Sequence, residues 1–144
     1  LNAWYLDTSA ALKLLLAEPE SAALIDAINR ERPTLVASYL LETELRGAAH
    51  RVPEITQRQV TELLDRIDLY EAATATFTQA GLLPGEHLRP QDALHLASAI
   101  AISVERLLTY DARMADAARD SGLMVAAPGR NDQPAGIGQA AQAQ

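Results

Sequence analysis

The sequence predicts an α/β domain of three α/β/α layers around a mostly parallel sheet, and three observations carry that expectation. Short apolar runs of strand type alternate with helical stretches along most of the chain. Those runs lack polar–apolar alternation, as strands covered on both faces do. Two of them, Trp4-Tyr5-Leu6 and Leu107-Leu108-Thr109-Tyr110, end in an aspartate that opens straight into a helix. An acid so placed lies at the carboxyl edge of the sheet, where open α/β sheets bind ligands.

In chain order, Trp4-Tyr5-Leu6 is the first strand, and Asp7-Thr8-Ser9 leads into a helix over 10–17. A turn at Glu18-Pro19-Glu20-Ser21 starts a second helix over 20–32, with Leu24, Ile25 and Ile28 inward and Pro33 as its stop. Residues 34–37 form a short buried strand, and Ser38 suits the cap of a helix reaching about Arg51. Val52-Pro53 breaks that helix, and 56–67 forms another with Val60, Leu63, Leu64 and Ile67 on one face. A weak strand at 69–71 and a helix over 74–83 precede a loop of turn residues. Pro90 then suits the first turn of a helix running to about Val104. A strand over 107–110, a helix over 112–121 closed by Gly122, and a last strand over 123–126 complete the domain. The domain is expected to span 1–128, with the Gly-, Gln- and Ala-rich tail 129–144 disordered.

The 144 residues suit one domain. The chain has no cysteine, which removes disulfides and thiolate metal sites. It has no apolar run of membrane-spanning length and no basic leader, so it reads as cytoplasmic and without a membrane partner. The net charge of −7 argues against broad electrostatic binding to nucleic acid. It does not exclude an enzyme acting on nucleic acid, because bound cations reverse the local charge of an acidic cluster.

Four acids stand where acids are costly. Asp7 and Asp111 end two strands, though each also suits the cap of the helix that follows. At about 100° per residue, Glu44 falls within the stripe of Leu41, Leu45 and Ala48, while Glu42 points about 160° away to solvent. A Glu at the edge of that stripe can also snorkel to water. Asp92 opens a nearly all-apolar helix beside Leu96, Ala99 and Ile100, where the helix dipole also favours an acid. Four carboxylates brought together would repel by about 4 kcal/mol per close pair at an effective dielectric of about 20. Cations relieve that repulsion, and all-oxygen ligation selects Mg²⁺, with Mn²⁺ as a substitute. On the same reasoning, Glu44→Gln should leave the metal-free fold intact or slightly more stable.

Leu6-Asp-Thr-Ser-Ala, Ser38-Tyr-Leu-Leu-Glu-Thr-Glu-Leu-Arg, Gln91-Asp-Ala-Leu-His-Leu-Ala and Leu108-Thr-Tyr-Asp-Ala-Arg-Met resemble the four acidic motifs of PIN-domain ribonucleases. The resemblance is greatest to the VapC-type toxins of bacterial toxin–antitoxin pairs, and it runs from residue 2 to about 126. It implies a PIN-like fold and a Mg²⁺-dependent endoribonuclease in which Asp7, Glu44, Asp92 and Asp111 are the catalytic and metal-binding residues. It places Thr8, Ser9 and Thr109 close to the metal; Asp116 is a candidate auxiliary acid that reads first as a surface charge. It further implies an RNA substrate, a homodimer and a VapB-type antitoxin lying over the active site.

Arg113, two residues beyond Asp111, is the favoured phosphate contact among Arg46, Arg51, Arg89 and Arg113. His95 reads as a buried, hydrogen-bonded histidine rather than a base, and His50 and His87 carry no signal. A phosphoacceptor receiver domain would want adjacent acids at the first strand and a late lysine, whereas the one lysine is Lys13. An aspartyl phosphatase would want an acid where Ser9 stands. A catalytically silent PIN-like module that only binds a partner remains the alternative.

Overall fold

The computed structural model describes residues 2–130. Among them, five strands form one all-parallel sheet: β1 (Ala3–Leu6), β2 (Thr34–Ser38), β3 (Asp68–Tyr70), β4 (Arg106–Leu108) and β5 (Val125–Ala126). Their order across the sheet is β3-β2-β1-β4-β5. Seven helices connect them: α1 (Thr8–Leu15), α2 (Ser21–Glu31), α3 (Leu40–Arg51), α4 (Gln57–Leu64), α5 (Thr74–Leu82), α6 (Pro90–Ile102) and α7 (Ala112–Asp120). β1 is central, and its consecutive residues Trp4, Tyr5 and Leu6 are all buried. Since successive side chains point to opposite faces, both faces of the sheet are covered. One group of helices packs α1 against α2, α3 and α4; another packs α6 against α5 and α7.

The helix boundaries follow local chemistry. Thr56 and Gln59 form a reciprocal capping box at the start of α4, which satisfies two otherwise orphaned N–H groups. Val60, Leu63, Leu64 and Ile67 are buried as their spacing predicts, although α4 ends at Leu64. Pro90 stands at the first turn of α6, where its missing N–H costs nothing. Ser38 closes β2, yet its hydroxyl still accepts the Leu40 N–H at 3.2 Å.

Two inward assignments fail. Ile25 is exposed because the buried stripe of α2 is Ser21, Leu24 and Ala27, which leaves Ile25 beside the stripe. Ile100 is also exposed, so α6 keeps a solvent face, while the Asp92 side chain is partly buried at 19 % exposed.

Residues 129 and 130, the last described, pack back onto the domain. Arg130 donates to Glu20 at 3.1 Å and to the Tyr110 carbonyl at 2.9 Å, and Lys13 reaches Glu20 at 2.9 Å. Gly129 permits this close approach. Its φ is +88°, and a Cβ there would meet the Ala23 Cβ at 3.0 Å. The rest of the predicted disordered tail, 131–144, lies outside the described residues. No described helix is long and apolar enough to cross a membrane.

Candidate active site

The register of the sheet brings the first acid beside the last. Leu6 pairs with Leu108, so Asp7 and Thr109 leave β1 and β4 side by side. The strand order reverses there: the chain runs from β1 out to β3, then places β4 on the other side of β1. Ligand crevices of open α/β sheets form at such switch points.

Asp7 is only 4 % exposed. Its Oδ1 accepts the Ala10 N–H at 2.9 Å, which caps α1, and the Ser9 hydroxyl at 2.7 Å. Its Oδ2 accepts the Thr109 hydroxyl. Capping and the candidate-site role therefore fall on one carboxylate. Burial pushes its pKa above the ordinary aspartate value despite these donors. Thr109 also ties in the next acid, because its hydroxyl accepts the Asp111 N–H at 3.1 Å. Ser9 in turn accepts the Tyr110 N–H at 2.8 Å. The Asp111 carboxylate caps α7 through the Arg113 N–H at 2.9 Å.

Glu44 forms a second group, one residue along from the first. Its Oε1 accepts the Thr8 hydroxyl at 2.8 Å and lies 2.5 Å from His95 Nε2. Burial alone would raise its pKa, but the bonds from His95 and Thr8 outweigh it, and the carboxyl is held below its ordinary value. Glu42, as its helical position predicts, faces away and pairs with Arg46 at 3.0 Å. Asp92 lies one turn before His95 on α6, with its carboxylate 3.4 Å from the exposed Arg89.

Two auxiliary residues stay outside this network. Asp116 is well exposed and pairs with Arg119 at 3.3 Å, an ordinary surface contact. Arg113 contributes its backbone N–H to Asp111, and its own position on α7 is exposed. Sequence reasoning did not identify Tyr5 and His95 as part of the site. The signal was faint: His95 is three residues from Asp92 and Tyr5 is two before Asp7, both polar groups within apolar runs.

Carboxylate and hydroxyl oxygens make up the donor set, which is the chemistry that hard divalent cations take. The residues fit such an ion in kind. Among the described residues, however, no three acids or histidines stand as one ready-made metal group. Each acid is turned to its own donor: Asp7 to Ser9, Ala10 and Thr109, Glu44 to Thr8 and His95, Asp92 to Arg89, and Asp111 to the Arg113 N–H.

A PIN-domain family model matches residues 4–120, a span that includes all four acids. The chain belongs to the PIN-domain family. Among curated relatives, Ribonuclease VapC46 of Mycobacterium tuberculosis is 41% identical over 131 residues, which is 89% of this chain and 99% of the relative. Ribonuclease VapC35 of the same species is 37% identical, with 88% and 97% covered. This PIN domain therefore groups with the VapC ribonucleases. Its fold matches the crystal structure of VapBC2 from Rickettsia felis bound to a promoter DNA fragment, with a TM-score of 0.63 and 16% identity. That match covers 86% of this chain and 97% of the other.

Proposed function

We propose that this PIN domain is a Mg²⁺-dependent endoribonuclease and the toxin of a toxin–antitoxin pair. The observation that carries the reading is Asp7: a buried carboxylate at the topological switch point, joined through Thr109 to Asp111 and standing next in sequence to Thr8, which bonds Glu44. Asp7, Glu44, Asp92 and Asp111 are the residues that would hold the cation. When bound, it supplies activation of water and neutralises charge developing on the scissile phosphodiester.

The chain's own groups orient the acids. Ser9 and Thr109 fix both oxygens of Asp7, and Thr8 and His95 keep Glu44 ionised. The Thr8 and Ser9 hydroxyls both donate to carboxylates, so they position rather than attack. Attack by water leaves 5′-phosphate and 3′-hydroxyl ends. Membership among the VapC ribonucleases and the likeness to a VapBC assembly support a VapB-type antitoxin as partner. Exposed Phe77 and Leu82 on α5 offer an apolar surface for a homodimer.

The test is RNA cleavage by the pure chain in Mg²⁺ and in EDTA, with Asp7→Asn and Asp92→Asn as controls. Metal-dependent cleavage lost in both variants is expected. Absence of cleavage with retained antitoxin binding would leave a silent partner-binding module, and 2′,3′-cyclic phosphate ends would contradict the water-attack chemistry.

A further inference from the structure

His95 is 1 % exposed and lies mid-helix on α6, and both of its ring nitrogens are hydrogen-bonded. Nδ1 meets the Tyr5 hydroxyl at 2.7 Å, and Nε2 meets Glu44 Oε1 at 2.5 Å. The Ser38 backbone N–H can only donate, and it donates to the Tyr5 oxygen at 3.1 Å. With the Ser38 N–H already on the Tyr5 oxygen, a Tyr5 hydroxyl that donates to Nδ1 leaves the ring's own proton on Nε2, aimed at Glu44. Which imidazole nitrogen is protonated is set by the bond the other one makes. The Tyr5 ring stands edge-on to the imidazole, at 5.7 Å between centroids and 73° between planes, which fixes the plane of the ring.

We propose that Tyr5 and His95 are positioning residues of the active site: a relay from the β2 backbone through Tyr5 to the Nε2–H form of His95 clamps Oε1 of Glu44. The Thr8 hydroxyl holds the same oxygen at 2.8 Å, so both clamps fall on Oε1 and neither on Oε2. The clamp presents Glu44 in one rotamer with its outer oxygen clear of both donors. This rests on the reading of Glu44 as an active-site acid. His95 is not itself a base toward substrate. Its ring is buried, and both nitrogens are already committed.

The experiment has two parts. Long-range ¹H–¹⁵N correlation of the imidazoles in the full, metal-free chain reads the tautomer directly. The wild-type His95 should be in the Nε2–H form, and Tyr5→Phe, which only removes a hydroxyl, should shift the ¹⁵N resonance of the unprotonated Nδ1 by taking away its donor. A wild-type ring in the Nδ1–H or doubly protonated form overturns the relay, as does an Nδ1 resonance unchanged in Tyr5→Phe. The second part compares His95→Gln, whose amide nitrogen reaches the Nε2 position, with His95→Asn, whose amide reaches only Nδ1. His95→Gln should keep the Mg²⁺-induced rise in Tm and most of kcat. His95→Asn should lose about tenfold or more in kcat or Mg²⁺ affinity at unchanged KM for RNA, the usual scale for a residue supporting a metal ligand. Equal behaviour of the two variants overturns the positioning role. A wild-type chain that shows the Nε2–H tautomer and the Nδ1 shift in Tyr5→Phe, yet cleaves no RNA, upholds the relay and sinks the ribonuclease reading instead.

Discussion

Glu44→Gln and Glu42→Gln, two residues apart on α3, should behave as opposites. Glu44 accepts two bonds on Oε1, and its carboxyl is held below its ordinary value because those bonds outweigh the burial that opposes them. A depressed folded pKa means that ionised Glu44 stabilises the fold above the unfolded value of about 4.3, and that this stability is lost as pH falls through the folded value. Glutamine keeps an acceptor for Thr8 and His95, but it replaces charge-assisted bonds by neutral ones of roughly half the strength. Relief of the desolvation cost offsets part of that loss, leaving a net cost of about 1 kcal/mol. For a chain of this size that is about 2–4 °C in Tm, measured by thermal denaturation in EDTA. The sign is the reverse of the stabilisation expected if Glu44 sat among repelling acids, because the groups that bond it are a histidine and a hydroxyl. Cleavage in Mg²⁺ should fall at least about a hundredfold, the scale of losing a key electrostatic contact. Glu42 pairs with Arg46 on the half-exposed side of the helix, so Glu42→Gln should change stability by no more than about 0.5 kcal/mol and leave cleavage intact. A Glu44→Gln protein more stable than wild type in EDTA would refute the clamp. Loss of activity in Glu42→Gln alone would mean that the wrong face of α3 has been assigned.

Other outcomes follow from the same geometry. Burial raises the Asp7 pKa, so its ionisation costs stability as pH rises from about 4 towards its folded value; Asp7→Asn should raise Tm in EDTA at neutral pH and flatten that slope, while abolishing cleavage. Thr109→Val leaves a buried Asp7 oxygen and the Asp111 N–H without their shared partner, and should cost about 1–3 kcal/mol in urea denaturation with m unchanged. Glu20 is held at about 2 by Lys13 and then by Arg130, so this clasp is complete above the usual carboxylate range and is lost only as pH falls towards about 2; Arg130→Gln should move acid unfolding, followed by circular dichroism, to higher pH. A coexpressed VapB-type antitoxin should copurify and suppress cleavage, and a complex that cleaves RNA as fast as the free chain would contradict that inhibition.

Four of the five strands were legible as short apolar runs with clear ends: β1 and β4 run into an aspartate, β2 follows Pro33 and stops at Ser38, and β5 stops before Pro128; the register that joins Asp7 to Thr109 follows from two such runs lying next to each other. β4 proved shorter than its apolar run. Thr109 still donates its N–H to the Ala126 carbonyl at 3.2 Å while its hydroxyl reaches Asp7, and Tyr110 leaves the ladder to reach Ser9 and Pro128, a pull that sequence periodicity does not contain. Glu44 could be separated from Glu42 by helical angle alone. His95 could be recognised as buried and hydrogen-bonded, but its partners are 51 and 90 residues away, and only the packing of α6 against β1 and α3 reveals them. What the sequence argument left out is that each carboxylate has a hydroxyl, amide, histidine or arginine partner of its own, and those bonds offset part of the charge that it assigned entirely to bound metal.

The central claim is that these separate acids gather around one divalent cation at the carboxyl edge of β1 and β4. Anomalous diffraction from a crystal of the full chain soaked in Mn²⁺ tests it most directly. The account predicts a Mn²⁺ peak in contact with Asp7, with Glu44, Asp92 or Asp111 turned from their present partners towards it, and no such peak in Asp7→Asn. A saturating soak that leaves Asp7 bonded to Ser9, Ala10 and Thr109 with no metal beside it, in a protein that still cleaves RNA, would contradict the account.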